Sequence, residues 1–192
     1  QTKVDATRGY GAEVELVGQN FQEAMGRARE ITSGRGTVFV HAYDDPAIVA
    51  GQGTLGIEML EDCPDVDTVV VPIGGGGLIA GVSTALAELA PDVRVVGVQA
   101  EAAATVPDSL DKGIPVSLES VDTIADGIAT GNISALSLRA IQEHVDAVVT
   151  VPDTLIAQSV LILLERAKQV VEGSGAAPVA AMLGDDLDVS GE

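Results

Sequence analysis

The chain has 192 residues, 46% of them hydrophobic, with 29 acidic residues against 10 basic ones and a net charge of -19. That length suffices for one sizeable domain or parts of two, and the hydrophobic content excludes a disordered chain. A surface this acidic excludes nucleic acid and anionic membranes as partners, since both require a basic patch.

The acids are dispersed rather than gathered into a tail, and Lys3, Lys112 and Lys168 are the only lysines. This balance suits a high-salt cytoplasm, where self-repulsion is screened. Cys63 is the single cysteine, so an intrachain disulfide and a cysteine-based metal cluster are both excluded. Its neighbours Glu61, Asp62 and Asp65 disfavour a thiolate, which makes it a spectator rather than a nucleophile. No stretch reaches the roughly 18 uncharged apolar residues of a membrane span, and no basic, then apolar, leader is visible. A cytoplasmic protein is expected.

In chain order, the opening residues read as the end of a helix, and Gly9 and Gly11 lead into a short strand over 12–17. A helical pattern from Asn20 to Ile31 places Phe21, Ala24, Met25, Ala28 and Ile31 on one face. Gly34 and Gly36 break it, and TVFV at 37–40 reads as a strand. HAYDDP is a loop, and Ile48 to Leu60 a glycine-rich helix. VDTVVVP at 66–72 is a continuous apolar run of the kind buried in a parallel sheet. Four glycines follow, then a helix from Leu78 to Leu89, then a second buried strand over 93–100. Strand, glycine turn, helix and strand make a βαβ unit. Residues 101–131 are loop-rich. A helix over 133–143, a strand over 145–152 and a long helix from Thr154 to about Val171 come next, the last capped by Asp153 or Thr154. EGSGAAPVAAML resembles a second glycine turn entering a helix.

VVPIGGGGLIAG, residues 70–81, is the most informative stretch. Four successive residues without side chains imply a close approach to the backbone. Amides in such a turn, followed by a helix start, form an anion cradle, and phosphate is the obvious ligand. The loop lacks the Lys-Ser/Thr ending of a nucleotide-triphosphate loop. It also fits GxGxxG poorly, because Ile79 stands at the third glycine and the next strand ends in Gln99. A turn serving strand–helix packing alone is the other reading. His41 and His144 are too far apart in sequence to suggest a metal pair.

VVPIGGGGLIAG, HAYDDPAIVAGQGTLGIEML, TIADGIA at 123–129, EGSGA at 172–176 and the opening KVDATRGYGAEVELVG together resemble the threonine dehydratase and serine racemase group of the fold-type II pyridoxal-phosphate enzymes. The resemblance covers essentially the whole chain. It implies an α/β fold like that of the tryptophan synthase beta chain, three layers α/β/α with a mostly parallel sheet. Residues 1–42 would close the small cofactor domain, and 43–192 would form most of the large domain. The resemblance also implies a fragment lacking both ends of a family member.

Carried onto this sequence, the amides of Gly74, Gly75, Gly76, Gly77 and Leu78 would hold the phosphate of pyridoxal 5'-phosphate. Gly127 would pass its backbone close to the cofactor ring. Glu172 would stand near the ring and influence its charge, unless it is only a helix-start acid. Tyr43, where the dehydratases often have Phe, would line the ring or merely pack the crossover. The family's Ser-Phe-Lys motif for the cofactor-bound lysine is absent. None of the three lysines matches that position, so no catalytic residue is assigned. Racemases of this group bind a divalent cation after the strand that follows the glycine loop. Here Gln99 and Thr105 replace the expected acids and Glu101 is offset, so no metal is expected. The implied activity of the complete enzyme is deamination of L-threonine, and of L-serine, to 2-oxobutanoate or pyruvate and ammonia, by a homo-oligomer; the alternatives are another fold-type II activity (serine racemase, threonine synthase or diaminopropionate lyase) or an inactive fragment that only binds phosphate.

Overall fold

The computed structural model describes residues 1–18, 21–184 and 187, in two compact units, Gln1–Val40 and His41–Glu192. The first unit holds α1 (Thr2–Gly9) and α2 (Phe21–Arg35). The helix expected from Asn20 therefore runs past Gly34 to Arg35, and Gly36 follows it at φ 64; Asn20 itself lies outside the described residues. Neither 12–17 nor 37–40, both expected as strands, is a strand. A strand needs a hydrogen-bonded neighbour and one buried face. Leu16, Val38 and Val40 are 70%, 88% and 69% exposed, and Met25 is the only buried hydrophobic residue among the described residues of this unit. Exposed ion pairs cross it instead, Arg27 to Glu15 at 2.6 Å and Arg35 to Glu13 at 2.9 Å.

The second unit is built on a parallel sheet of β1 (Thr68–Pro72), β2 (Arg94–Ala100) and β3 (Ala147–Val151), in that order. All three are Val-rich runs, as a parallel sheet covered on both faces requires. Val69, Val71 and Val95 face one layer, where Ile79, Val82 and Leu86 of α4 (Gly77–Leu89) meet Ile141 of α6 (Ala135–His144). Val96, Val98 and Val151 face the other, against Ile156 of α7 (Asp153–Ile162) and Ala177, Ala180 and Ala181 of α8 (Gly173–Leu183). These are the three layers and the parallel sheet that the sequence implies.

Helix α3 (Pro46–Asp62) starts earlier than expected. Asp45 caps it by accepting the Ala47 N–H at 2.8 Å, and Pro46 takes the first helical position. It lies against α4 so closely that a Cβ on Gly81 would strike the carbonyl of Val49. The stretch 101–131 carries a helix of its own, α5 (Val106–Lys112), and a 3₁₀ turn at Asp126–Ile128. The long helix expected to Val171 is shorter. After Ile162 it widens into a π-turn at Leu163–Ala167 and stops at Lys168, whose φ is 59. Asp153 does not cap α7. Pro152 holds the cap position, and the Asp153 carboxylate accepts from Thr123 Oγ1 at 2.5 Å and Ile124 N at 3.0 Å. That bond pins the start of TIADGIA to the end of β3.

Candidate active site at two helix starts

Strand β1 ends at Pro72, Ile73 N still donates to Val98 O at 2.7 Å, and the chain then leaves the sheet as the glycine turn. Gly76 caps α4 at φ 90, a left-handed conformation that glycine adopts without strain. Regular helical bonding resumes at Ala80, whose N–H reaches Gly76 O at 3.0 Å. The six N–H groups from Gly74 to Ile79 find no acceptor among the described residues. Six unbonded donors at the positive end of a 13-residue helix make a strong anion site. A phosphate group fits that donor set.

What stands close to the four glycines is the protein itself. A Cβ on Gly75 would sit 2.5 Å from three ring atoms of Tyr43, and one on Gly77 would sit 2.9 Å from Tyr43 Cβ. On Gly76 it would meet Ser137 Cβ at 2.5 Å, and on Gly74 the Cα of Ile128 at 3.0 Å. The packing reading weighed from the sequence therefore holds for the glycine run. Packing removes the side chains, and the same geometry leaves the amides without acceptors.

The supports of the turn are fixed in their own right. Tyr43 is half-buried, and its hydroxyl donates to Asn132 Oδ1 at 2.9 Å. Burial pushes its phenol above the ordinary value, against a smaller lowering by the Asn132 bond. His41 sits edge-on to the Tyr43 ring, centroids 4.8 Å apart, and its Nδ1 accepts from Tyr43 N and Asp44 N. Its place is in the crossover, holding Tyr43. Ser134 caps α6 by accepting from Ser137 N at 2.9 Å, and its hydroxyl donates to Ser137 Oγ at 2.9 Å. Asn132, Ser134 and Ser137 carry no motif, and sequence reasoning missed them.

A second helix start meets the same 3₁₀ turn from another direction. Glu172 is the cap residue of α8 but makes no capping bond through its side chain. A Cβ on Gly127 would lie 2.7 Å from Ser174 Oγ and 3.0 Å from Glu172 Oε1. Gly127 and Glu172 are therefore neighbours, and Ile128 beside Gly127 touches the glycine turn at Gly74. The sequence-named residues thus fall in a chain of near neighbours, Tyr43 against Gly75 and Gly77, Gly74 against Ile128, and Gly127 against Glu172. Ser174, which sequence reasoning did not single out, joins them.

Gln99 is 1% exposed near the end of β2. Its Oε1 accepts from Thr105 N at 3.0 Å and Val106 N at 2.8 Å, and its Nε2 donates to Ala103 O at 3.4 Å. The amide knots the loop to the start of α5, and a carboxylate could not make the third bond. Among the described residues no cluster of His, Cys, Asp and Glu could hold a metal ion. Cys63 is exposed and caps the end of α3. His144 closes α6 beside Glu143. Lys168 Nζ donates to Glu165 O at 2.6 Å, serving the end of the α7 turn. No described helix is long and apolar enough to cross a membrane.

Comparison with known proteins accords with this geometry. The chain is 49% identical over 191 residues to the L-threonine ammonia-lyase of Geobacter sulfurreducens, covering 99% of this chain and 48% of that one. It is 47% identical to the L-threonine ammonia-lyase of Thermotoga maritima, covering 100% of this chain and 47% of the relative. The chain thus spans about half the length of the curated relatives it matches. Among solved structures, the processed form of threonine deaminase isoform 2 from Solanum lycopersicum superposes with a TM-score of 0.88 at 36% identity, covering 93% of this chain and 49% of that one. Maize serine racemase superposes with a TM-score of 0.92 at 32% identity, covering 96% and 56%. The family model for pyridoxal-phosphate dependent enzymes matches residues 1–192. The chain belongs to the family of pyridoxal-phosphate-dependent enzymes.

Proposed function

We propose that this chain is the cofactor-holding part of a threonine ammonia-lyase, which converts L-threonine to 2-oxobutanoate and ammonia and L-serine to pyruvate and ammonia. The observation that carries the reading is the set of six amides at Gly74–Ile79 with no acceptor among the described residues, in a chain 49% identical to a threonine ammonia-lyase. Pyridoxal phosphate, when bound, supplies an electron sink that makes the α-proton of an amino acid acidic. The chain's own residues hold and aim it. The amides of Gly74, Gly75, Gly76, Gly77 and Leu78 bind the phosphate, and the α4 dipole favours its charge. Gly127 would offer bare backbone to the ring, with the Glu172 carboxylate beside Gly127 and the Tyr43 ring against Gly75 available to border it. Such placement lowers the entropic part of the barrier. No residue of this chain is assigned the proton transfer.

We read residues 1–42 as the end of a small cofactor domain and 43–192 as most of a large one, in a cytoplasmic homo-oligomer acting on a free amino acid. The acid excess is read as adaptation to high salt. The unfolding midpoint should rise from low to multimolar KCl, and a flat or falling midpoint contradicts that part of the reading.

Serine racemase is the second reading, favoured by the TM-score of 0.92 to the maize enzyme. Gln99 speaks for the lyase, because its buried amide is already committed to three backbone groups and is a weak ligand for a hard cation. The test uses a polypeptide of the relatives' full length carrying this chain, in multimolar KCl. L-threonine and L-serine are supplied separately, with and without a chelator, and 2-oxo acids and D-serine are measured. The lyase reading expects 2-oxobutanoate to form fastest, with little effect of the chelator. Chelator-sensitive D-serine production exceeding 2-oxo acid release would overturn it.

A further inference from the structure

Tyr43 presses on the glycine turn at two points, its ring at Gly75 and its Cβ at Gly77. The backbone that delivers it is held by one side-chain atom. His41 Nδ1 accepts from Tyr43 N at 3.1 Å and from Asp44 N at 2.8 Å. Asparagine and aspartate side chains make this kind of turn with the backbone two residues on; here an imidazole makes it. A ring nitrogen that accepts carries no proton, so the proton of the neutral ring sits on Nε2.

An imidazole differs from an amide in one respect. Protonation turns Nδ1 from acceptor into donor. Two backbone N–H groups would then face a third donor, and both bonds are lost. Imidazole is the side chain that ordinarily makes this change between about pH 5 and 8. Its titratable neighbours in the turn are Tyr43, Asp44 and Asp45. Tyr43 meets it edge-on, and burial raises the phenol, which stays protonated throughout this range. The Asp45 carboxylate is bound to Ala47 N, and Asp44 is exposed. The glycine turn and residues 132–137, which meet Tyr43 and Gly76, carry no titratable side chain.

We propose that His41 is a positioning residue for the glycine turn: its unprotonated Nδ1 keeps Tyr43 seated on Gly75 and Gly77, and its protonation unseats Tyr43 and loosens the anion cradle. The proposal rests on the cofactor reading above for the identity of the anion, though not for the movement itself. Binding weakens in proportion to the fraction of molecules with the turn in place.

The test compares wild type, His41→Asn and His41→Ala in the full chain, at about pH 8 and about pH 5, where a free imidazole is neutral and charged respectively. Asparagine Oδ1 stands where Nδ1 stood and accepts the same two N–H groups, but takes up no proton. Sulfate is the probe, since it suits a helix start and stays a dianion over this range. Wild-type affinity should fall about tenfold on acidification, the worth of the two lost bonds. His41→Asn should keep the alkaline affinity at both pH values, and His41→Ala should be weak at both. Without ligand, the ¹⁵N-labelled amides of Gly75 and Gly77 should shift together with those of Tyr43 and Asp44 as wild type is acidified, and stay still in His41→Asn. Amides of Gly75 and Gly77 that stay still while those of Tyr43 and Asp44 titrate overturn the proposal. So does an asparagine variant as acid-sensitive as wild type. A wild-type chain that binds neither sulfate nor pyridoxal 5'-phosphate at about pH 8 overturns the cofactor reading, and the ligand-free shifts still decide the proposal.

Discussion

The two helix starts of the site solve different problems with similar sequences. GGGG before α4 carries no side chain, and each of its glycines is pressed by a neighbour: Tyr43, Ser137 or Ile128. EGSG before α8 keeps two polar side chains, and both point toward Gly127. The first start is a rigid mould whose chemistry is entirely backbone. The second presents side-chain oxygens to a gap made by another residue's missing side chain. A glycine run by itself therefore does not say whether a ligand or the protein fills the space beside it. At α4 the packing is what fixes the amides in place.

The comparison breaks most sharply at Gly76. Gly76→Ala combines a left-handed φ with a Cβ 2.5 Å from Ser137 Cβ, and should cost roughly 3 kcal/mol or more in urea unfolding of the ligand-free chain. The loss is expected without any cofactor present. An ordinary midpoint with lost phosphate binding would instead show that the glycine serves only the ligand. Gly75→Ala should cost about 2 kcal/mol, and the cost should shrink in a Tyr43→Ala background, since the ring is what the new methyl meets. Equal costs in both backgrounds would remove Tyr43 from the mould.

A smaller effect tests how Tyr43 is held. Tyr43→Phe keeps the ring on Gly75 and loses the Asn132 bond, for about 1 kcal/mol. It also changes the pH dependence. The folded phenol titrates above its unfolded value of 10.0 because it is buried. Its contribution is therefore full below pH 10 and lost as pH rises through the folded value. Wild type should lose stability on that alkaline limb by more than the Phe variant does; identical limbs would contradict the buried, bonded phenol. The smallest effect belongs to the first unit. Arg27→Ala breaks exposed pairs to Glu15 and Glu30, which should leave the unfolding midpoint nearly unchanged. A large drop would mean that these pairs hold the unit together.

Much of this was legible in the sequence, for identifiable reasons. The three Val-rich runs became β1, β2 and β3 because a parallel sheet buried on both faces leaves a continuous apolar signature. The runs at 12–17 and 37–40 have similar local propensity but no paired neighbour, and pairing is a non-local property. The glycine turn and its helix were readable because backbone donors at a helix start have a compositional signature. The supports were not. Asn132, Ser137 and Ser174 are ordinary polar residues whose meaning comes from Tyr43, Gly76 and Gly127 folding against them. Asp153 reads as a helix cap from its position, yet its carboxylate is drawn to Thr123, thirty residues away in sequence.

The central claim is that the amides of Gly74–Ile79 receive a phosphate group. The direct measurement is a ¹⁵N-labelled amide titration of the chain with pyridoxal 5'-phosphate and, separately, with pyridoxal, both in KCl sufficient to screen the acidic surface. The account predicts saturable shifts of the Gly74–Ile79 amides with the phosphorylated ligand, and much weaker ones with pyridoxal. If those six amides stay still while the ligand binds elsewhere, or respond equally to both ligands, the cradle assignment is contradicted.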